Sequence, residues 1–330
     1  MLPDFSNRII EIKSQDEFNL LALEIFRYQA EYNPVYKEYV NHICKDISKV
    51  KHYSQIPFLP IEFFRTKDVI TGNGPVQKIF RSSGTTGQLQ SRHNVTDLSV
   101  YENSAIRSFE QFYGNASEFT FLALLPSYLE RDDSSLVYMT NHFMSKSNFK
   151  SDCGFFLDDH EDLIERLKKL SLEKSRKVLL LGVSFALIDL AEKIDFPLND
   201  IIVMETGGMK GRRKEIIREE LHEILCKKMQ VKKIHSEYGM TELLSQSYSQ
   251  GDGIYRCPPW MKVIIREMND PLTFAEEGRS GGINIIDFAN INSCSFIATQ
   301  DVGKCFADGS FEVSGRFDYS DTRGCNLLLT

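Results

Sequence analysis

Two short stretches hold the residues best suited to chemistry. The first, RSSGTTGQLQSRHNV at 81–95, sets Ser82, Ser83, Gly84, Thr85, Thr86 and Gly87 in a row, with Arg92 and His93 close behind. Such residues build no core and can form a solvated linker. They can also form an anion cradle, in which glycine lets backbone N–H groups converge on a phosphate and hydroxyls add donors. An apolar run from Val76 to Phe80 enters the stretch and a helical pattern follows it, a context that favours the cradle. The second stretch, HSEYGMTELLSQ at 235–246, brings Tyr238, Gly239, Thr241 and Glu242 to a turn. A hydroxyl and a carboxylate beside a nucleotide phosphate are hard oxygen ligands suited to Mg²⁺. The plainer alternative is an ordinary helix start, with Glu242 favoured by the dipole.

Other chemistries lose support at once. No Gly-Lys-Ser/Thr closes the first loop, so it is not a Walker A loop, and no strand leads into G-x-G-x-x-G, as a nicotinamide dehydrogenase would require. The net charge of −7 leaves no basic footprint for nucleic acid. No apolar run approaches the roughly 20 residues of a membrane span, and MLPDFSNRIIEIKSQ is no signal peptide. Seven cysteines with no CxxC pair read as neither a disulfide framework nor a zinc site. Together these describe a soluble, cytoplasmic chain.

The elements that must position the two stretches can be read from periodicity. Apolar residues at helical spacing (Phe18, Leu21, Ile25, Tyr28, Tyr32) open the chain with helix. The proline-punctuated IPFLPIEFF at 56–64 is expected to pack as an extended segment. Asp97 can cap a helix running to Phe112, and FTFLALLP at 119–126 reads as a buried strand. The middle then alternates: helix DHEDLIERLKKL, strand 177–184, helix FALIDLAEKI, strand 200–208, helix RRKEIIREELHEILCKKM, strand 231–239. Alternation of this kind implies an α/β fold with a parallel sheet covered by helices on both faces. Ligands gather at the carboxyl ends of such strands, here Gly182-Val183-Ser184, Glu205-Thr206-Gly207-Gly208 and Glu237-Tyr238-Gly239. From residue 254 short strands and turns replace the alternation, with a hairpin expected around Asp308-Gly309. The expected organisation is an α/β ATP- and acid-binding region at 1–253, and a β-rich subdomain at 254–330 that ends in a short tail carrying Cys325.

SSGTTG, YGMTE, TQDVG at 299–303 and GRFDYSDTRG at 315–324 occur in the order found in adenylate-forming enzymes, the acyl- and aryl-CoA ligases and their relatives. More narrowly, the chain resembles the acyl-protein synthetases of the bacterial luminescence fatty-acid reductase system. That resemblance rests on IPFLPIEFF, SSGTTG with SRH, LPSYLERDDSSLVYM, ETGGMKGRRKE, YGMTELLSQ and RGCNLLL, and covers roughly residues 55–330. It implies ATP- and Mg²⁺-dependent activation of a carboxylic acid, a fatty acid above all, as an acyl-adenylate. By the same resemblance residues 82–87 hold the β- and γ-phosphates, and Gly207 and Gly208 lie along adenine. Tyr238 stacks near the base, Thr241 touches the α-phosphate and Glu242 holds Mg²⁺. Asp301 and Arg316 reach the ribose.

Two departures stand out. Leu89 and Gln90 occupy the positions where the superfamily has proline and lysine, with Arg92 as the nearest replacement charge. The superfamily's small C-terminal domain, which carries a catalytic lysine, is not expected here, because the chain stops at Thr330. The resemblance marks Cys325 as the first acyl acceptor, with an acyl-accepting, reductase-like protein as onward partner. A thiolate suits that role, and Arg323 could lower its pKa. The alternatives are a ligase in which coenzyme A intercepts the adenylate directly, and a catalytically weak nucleotide-binding partner protein. His93 is a candidate base or phosphate ligand, with a polar surface residue as the simpler reading. His235 is expected to pack at a strand end, and Asp132 and Asp133 to face solvent.

Overall fold

Ser14 opens the N-terminal helical hairpin by accepting from the Glu17 N–H, a side-chain cap for the helix that follows it. The computed structural model describes residues 5–83, 89–127, 129–157, 159–173, 175–207 and 217–317. A short α1 (Ser6–Ile10) precedes α2 (Gln15–Tyr32), and α3 (Pro34–Ile43) follows it after one residue, Asn33. Asn33 works in two directions: its Oδ1 caps α3 through Tyr36 N, and its Nδ2 donates to Ser293 O at 2.7 Å. Buried Gln29 ties α2 to the same distant segment through Asn290 O, Ile291 O and Ser295 N. Phe26 and Tyr36 pack on Phe296, so the first helices are docked on the last third of the chain.

IPFLPIEFF divides in two. Leu59–Pro60 forms a short strand β1, paired in parallel with Ile297 and Ala298, as an extended segment should. Its tail is instead helical: α4 (Phe63–Thr66) follows the last proline, where φ/ψ are again free to turn, and buries Phe64. Strands β2 (Lys78–Arg81) and β3 (Arg92–Val95) then form a hairpin around the first chemical stretch. Of that stretch, Gly84, Thr85, Thr86 and Gly87 lie outside the described residues.

Asp97 caps α5 (Leu98–Tyr113) as expected. The central sheet takes β4 (Phe119–Leu124), β5 (Gly154–Phe155), β6 (Lys177–Val183), β7 (Ile201–Thr206), β8 (His235–Tyr238) and β9 (Ser247–Ser249), in the order β5-β4-β6-β7-β8-β9. All neighbours are parallel except the last pair. Both faces are apolar with period two. Phe119, Phe121 and Ala123 of β4 and Leu179 and Leu181 of β6 face the core that holds residues of α5 and α6 (Ser135–Lys146). Leu122, Leu124, Val178 and Leu180 face the other core, formed with α7 (His160–Leu170), α8 (Ser184–Ala191) and α9 (Arg218–Met229). One element is shorter than periodicity suggests. The third strand starts at His235 rather than 231, because Val231 N still bonds Cys226 O at the end of α9. Helix α9 is described from Arg218, after an extended Ile217, and residues 212–216 of the expected helix lie outside the described residues.

The last third forms an antiparallel sheet of β10 (Ile254–Tyr255), β11 (Met261–Arg266), β12 (Ser280–Asp287), β13 (Phe296–Cys305) and β14 (Phe311–Arg316), in the order β10-β14-β13-β12-β11 with β1 added beside β13. The hairpin between β13 and β14 turns at Asp308-Gly309, with Gly309 at φ +79°. One buried cluster runs from Phe26 through Phe121 to Phe296, joining this sheet, the first helices and one face of the parallel sheet. Among the described residues no helix is long and apolar enough to cross a membrane.

Candidate nucleotide site

The carboxyl ends of β7 and β8 meet the β13–β14 ladder, and there the predicted residues converge. Tyr238, last in β8, donates its hydroxyl to Asp301 Oδ2 at 2.7 Å. Asp301 Oδ1 pairs with Arg316 Nε at 3.2 Å, the two residues being direct cross-strand partners. The aromatic ring of Tyr238 packs against Tyr255 and Phe311, and burial together with the Asp301 charge pushes its hydroxyl well above the usual range. Asp301 is thus held between two donors, with Arg316 still 45 % exposed. A carboxylate and a guanidinium fixed side by side are a fitting pair for vicinal hydroxyls.

The turn after β8 is equally constrained. At Gly239 an added Cβ would fall 2.3 Å from Glu237 Oε1, so only glycine passes there without displacing a carboxylate. Gly207 follows β7 at φ +71°, and its carbonyl accepts from Ser184 Oγ at 2.9 Å, tying together two strand ends. Gly208 lies outside the described residues.

Glu242 is buried at 6 % exposure, and burial raises its carboxyl pKa, while a hydrogen bond from Ser91 and the charges of Arg316 and Arg65 oppose that rise. Among the described residues it makes no ion pair within 4 Å, and no group of three or more His, Cys, Asp or Glu side chains gathers as a metal cluster. A lone buried carboxylate fits a divalent cation that takes its other ligands from phosphate and water.

Ser91 belongs to the β2–β3 hairpin, where it also closes the neck of the first stretch: Ser91 N donates to Ser82 Oγ at 2.9 Å and Ser82 N to Ser91 O at 3.1 Å. Ser83 is exposed at the edge of this neck. The two chemical stretches, far apart in sequence, are therefore joined at Ser91 and Glu242.

His93 makes a second joint and corrects the surface reading. It sits in β3 at 1 % exposure, edge-on to Phe64. Its Nδ1 lies 2.9 Å from Thr241 O, and a carbonyl can only accept, so Nδ1 carries the proton. Nε2 lies 2.9 Å from Ser293 Oγ. Burial pushes the imidazole pKa down to about 4, keeping the ring neutral. His93 positions Thr241 and is enclosed rather than open to substrate. His93→Ala should cost about 2 kcal/mol from the lost packing and hydrogen bonds, read as a lower urea midpoint at unchanged m-value.

Sequence reasoning missed the other supports of this turn. Asp287 Oδ2 accepts from Leu244 N and Ser245 N, and Oδ1 from Ser245 Oγ and Ala289 N. Asn290 Nδ2 donates to Glu242 O at 2.7 Å. Neither residue lies in a motif, and only their contacts reveal them. Arg92 pairs with Asp68 at 3.4 Å. His235 packs at a strand end, with its Nδ1 3.1 Å from the Tyr113 hydroxyl. Asp132 reaches Lys78 at 2.9 Å while 66 % exposed, and Asp133 pairs with Arg131. Cys325 lies outside the described residues.

No protein-family model and no curated protein matches the chain. Solved structures do. A 2-hydroxyisobutyryl-CoA ligase, in complex with 2-HIB-AMP and CoA in the thioesterification state, aligns at TM-score 0.68 and 12% identity over 97% of this chain and 73% of its own. ATP-bound MatB from Rhodopseudomonas palustris gives TM-score 0.54 and 15% identity over 72% of this chain and 47% of its own. O-succinylbenzoate coenzyme A synthetase from Bacillus subtilis, in complex with AMP, gives 0.50 and 16% over 74% and 49%. The chain thus spans about half the length of the last two. The fold is that of the adenylate-forming ligases.

Proposed function

We propose that the protein uses ATP to activate a carboxylic acid as an acyl-adenylate and passes the acyl group to a thiol. The observation that carries this reading is the Tyr238–Asp301–Arg316 cluster at the strand ends, beside buried Glu242, in a fold shared with ATP- and AMP-bound ligases. Carboxylate oxygen attacks the α-phosphorus, the bond to the bridging oxygen breaks, and pyrophosphate leaves. AMP is then the leaving group when a thiolate attacks the acyl carbon. Both reactants are anions, so the site must offset repulsion with donors and cations. Asp301 and Arg316 would orient the ribose and Thr241 the α-phosphate, and Glu242 would hold Mg²⁺. When bound, Mg²⁺ neutralises phosphate charge.

The resemblance to acyl-protein synthetases supports a fatty acid as substrate, Cys325 as acceptor and a reductase-like protein as onward partner. A second reading, with coenzyme A as the thiol, is favoured by the matched ligase complex that contains CoA. Acid-dependent ATP–pyrophosphate exchange over fatty, aryl and amino acids tests the first step. In Cys325→Ala, exchange should persist while covalent label from the best acid disappears from the denatured protein. Label that persists in the variant excludes Cys325, and release of an acyl-CoA by wild type selects the second reading. Exchange with no acid at all would refute the adenylation reading.

A further inference from the structure

Helix α9 starts with a charge that its own dipole disfavours. Arg218 is its first residue, after the extended Ile217, whereas Glu219 and Glu220 beside it suit a helix start. What holds Arg218 there lies outside the helix. Its Nε pairs at 3.3 Å with Oε1 of Glu205, a carboxylate 2 % exposed near the carboxyl end of β7. Its Nη1 donates to the Val313 carbonyl of β14 at 2.7 Å. The guanidinium carbon lies 5.4 Å from the centre of the Tyr255 ring in β10. The stem passes Gly253, where φ is +66° and an added Cβ would come within 3.3 Å of Arg218 Cδ. One side chain thus joins α9, β7, β10 and β14.

Both arms of this joint lead to the nucleotide site. Glu205 Oε2 lies 3.3 Å from Ser184 Oγ, the hydroxyl that donates to Gly207 O. On the other arm, β10 pairs with β14 at Phe311 and Glu312. Arg218 takes the next carbonyl along, three residues before Arg316. Tyr255, beneath the guanidinium, packs in turn on Tyr238. A buried ion pair adds little net stability, because desolvation offsets the attraction, so an apolar residue of similar size would serve packing as well. What a guanidinium adds is direction. Donors in a rigid fork fix the spacing between a carboxylate on one sheet and a carbonyl on the other.

We propose that Arg218 is a positioning residue for the nucleoside. Through Glu205 and Val313 it sets how far the end of β7, with Gly207, stands from β14, with Arg316. That separation is the width of the site into which base and ribose must fit. The role rests on the adenylation reading for its ligand, and Arg218 acts through the two strands without touching the nucleotide. Base and ribose do not react, so their contacts are alike in the ground and transition states. Losing their alignment therefore raises KM for ATP and leaves kcat in place.

Acid-dependent ATP–pyrophosphate exchange gives KM and kcat, and calorimetry gives AMP and pyrophosphate binding, for wild type, Arg218→Ala, Arg218→Lys and Arg176→Ala. Arg176 pairs with Asp152 and Glu173 just before β6, at the opposite end of the parallel sheet, so its loss reports the effect of lowered stability alone. Arg218→Ala should raise KM for ATP and weaken AMP about tenfold, with kcat and pyrophosphate binding within about twofold of wild type. Arg176→Ala should move none of these by more than about twofold. Arg218→Lys keeps the charge opposite Glu205 without the fork and should recover only part of the AMP affinity. Hydrogen exchange in the ligand-free protein reads the joint itself: β14 amides should exchange about tenfold faster in Arg218→Ala and at the wild-type rate in Arg176→Ala. AMP affinity unchanged in Arg218→Ala, or lowered equally by Arg176→Ala, would overturn the proposal. So would a loss of kcat and pyrophosphate binding as large as the loss of AMP, or unchanged exchange in β14. Wild type that neither exchanges pyrophosphate nor binds AMP instead refutes the adenylation reading, while faster β14 exchange in Arg218→Ala would still establish the joint.

Discussion

Glu242→Gln is expected to lower acid-dependent ATP–pyrophosphate exchange by about 10²–10³-fold while melting no lower than wild type at pH 8. Both halves follow from one environment. The carboxyl is 6 % exposed, raised in pKa by burial and without an ion pair within 4 Å among the described residues. An ionised group in that position is a cost to the fold, relieved in part by Ser91 and by the more distant arginines. Glutamine has the same shape and can still accept from Ser91, so stability should hold or rise. What glutamine lacks is the full charge that a divalent cation needs among phosphate oxygens. A stability gain joined to a loss of function is the signature of a residue kept for chemistry. Exchange within tenfold of wild type would remove Glu242 from the reaction centre. A melting temperature several degrees lower would make it a structural residue.

Legibility varied with how local the cause was. The α/β alternation could be read because each strand of the parallel sheet is apolar on both faces, so FTFLALL and KVLLLGV stand out without any knowledge of their neighbours. The meeting of Tyr238, Asp301 and Arg316 could be anticipated because strand-end turns place Tyr238 and Gly239 where ligands gather, and because Asp301 and Arg316 sit in motifs of a known order. The burial of His93 is not legible because nothing near it in sequence shows that Phe64, Thr241 and Ser293 will close over it. The short helix α4 is hidden for a similar reason. IPFLPIEFF signals extension through its prolines, yet the turn of helix begins after the second of them. Asp287 and Asn290 act across more than 40 residues of chain. Such supports have no sequence period and become visible only when the sheets are assembled.

Glu237 supplies the second large effect, as a function of pH. It lies in β8 opposite Tyr248, buried at 6 %, accepting from Thr206 Oγ1 with Glu205 nearby. Burial pushes its carboxyl from 4.5 up to about 7. The native state therefore holds this proton more tightly than the unfolded chain does. Its stabilising contribution is complete below about pH 4.5 and is lost as pH rises through about 7, a change of roughly 3 kcal/mol. Asp287, pushed up to about 6, acts in the same direction. His93 and His235, both pushed down to about 4 by burial, act in the opposite one: the unfolded chain protonates first, so stability falls as pH drops from about 6.5 towards 4. In wild type these opposing slopes overlap and flatten the pH profile. Glu237→Gln removes one of them and leaves the histidines less opposed. Urea unfolding should show the variant equal to wild type near pH 4.5 and more stable by roughly 3 kcal/mol at pH 8, the gap opening between those limits. A gap independent of pH would mean that Glu237 titrates normally. A variant less stable at pH 8 would mean that the ionised carboxylate is an asset to the fold, held by a cation that the described residues do not supply.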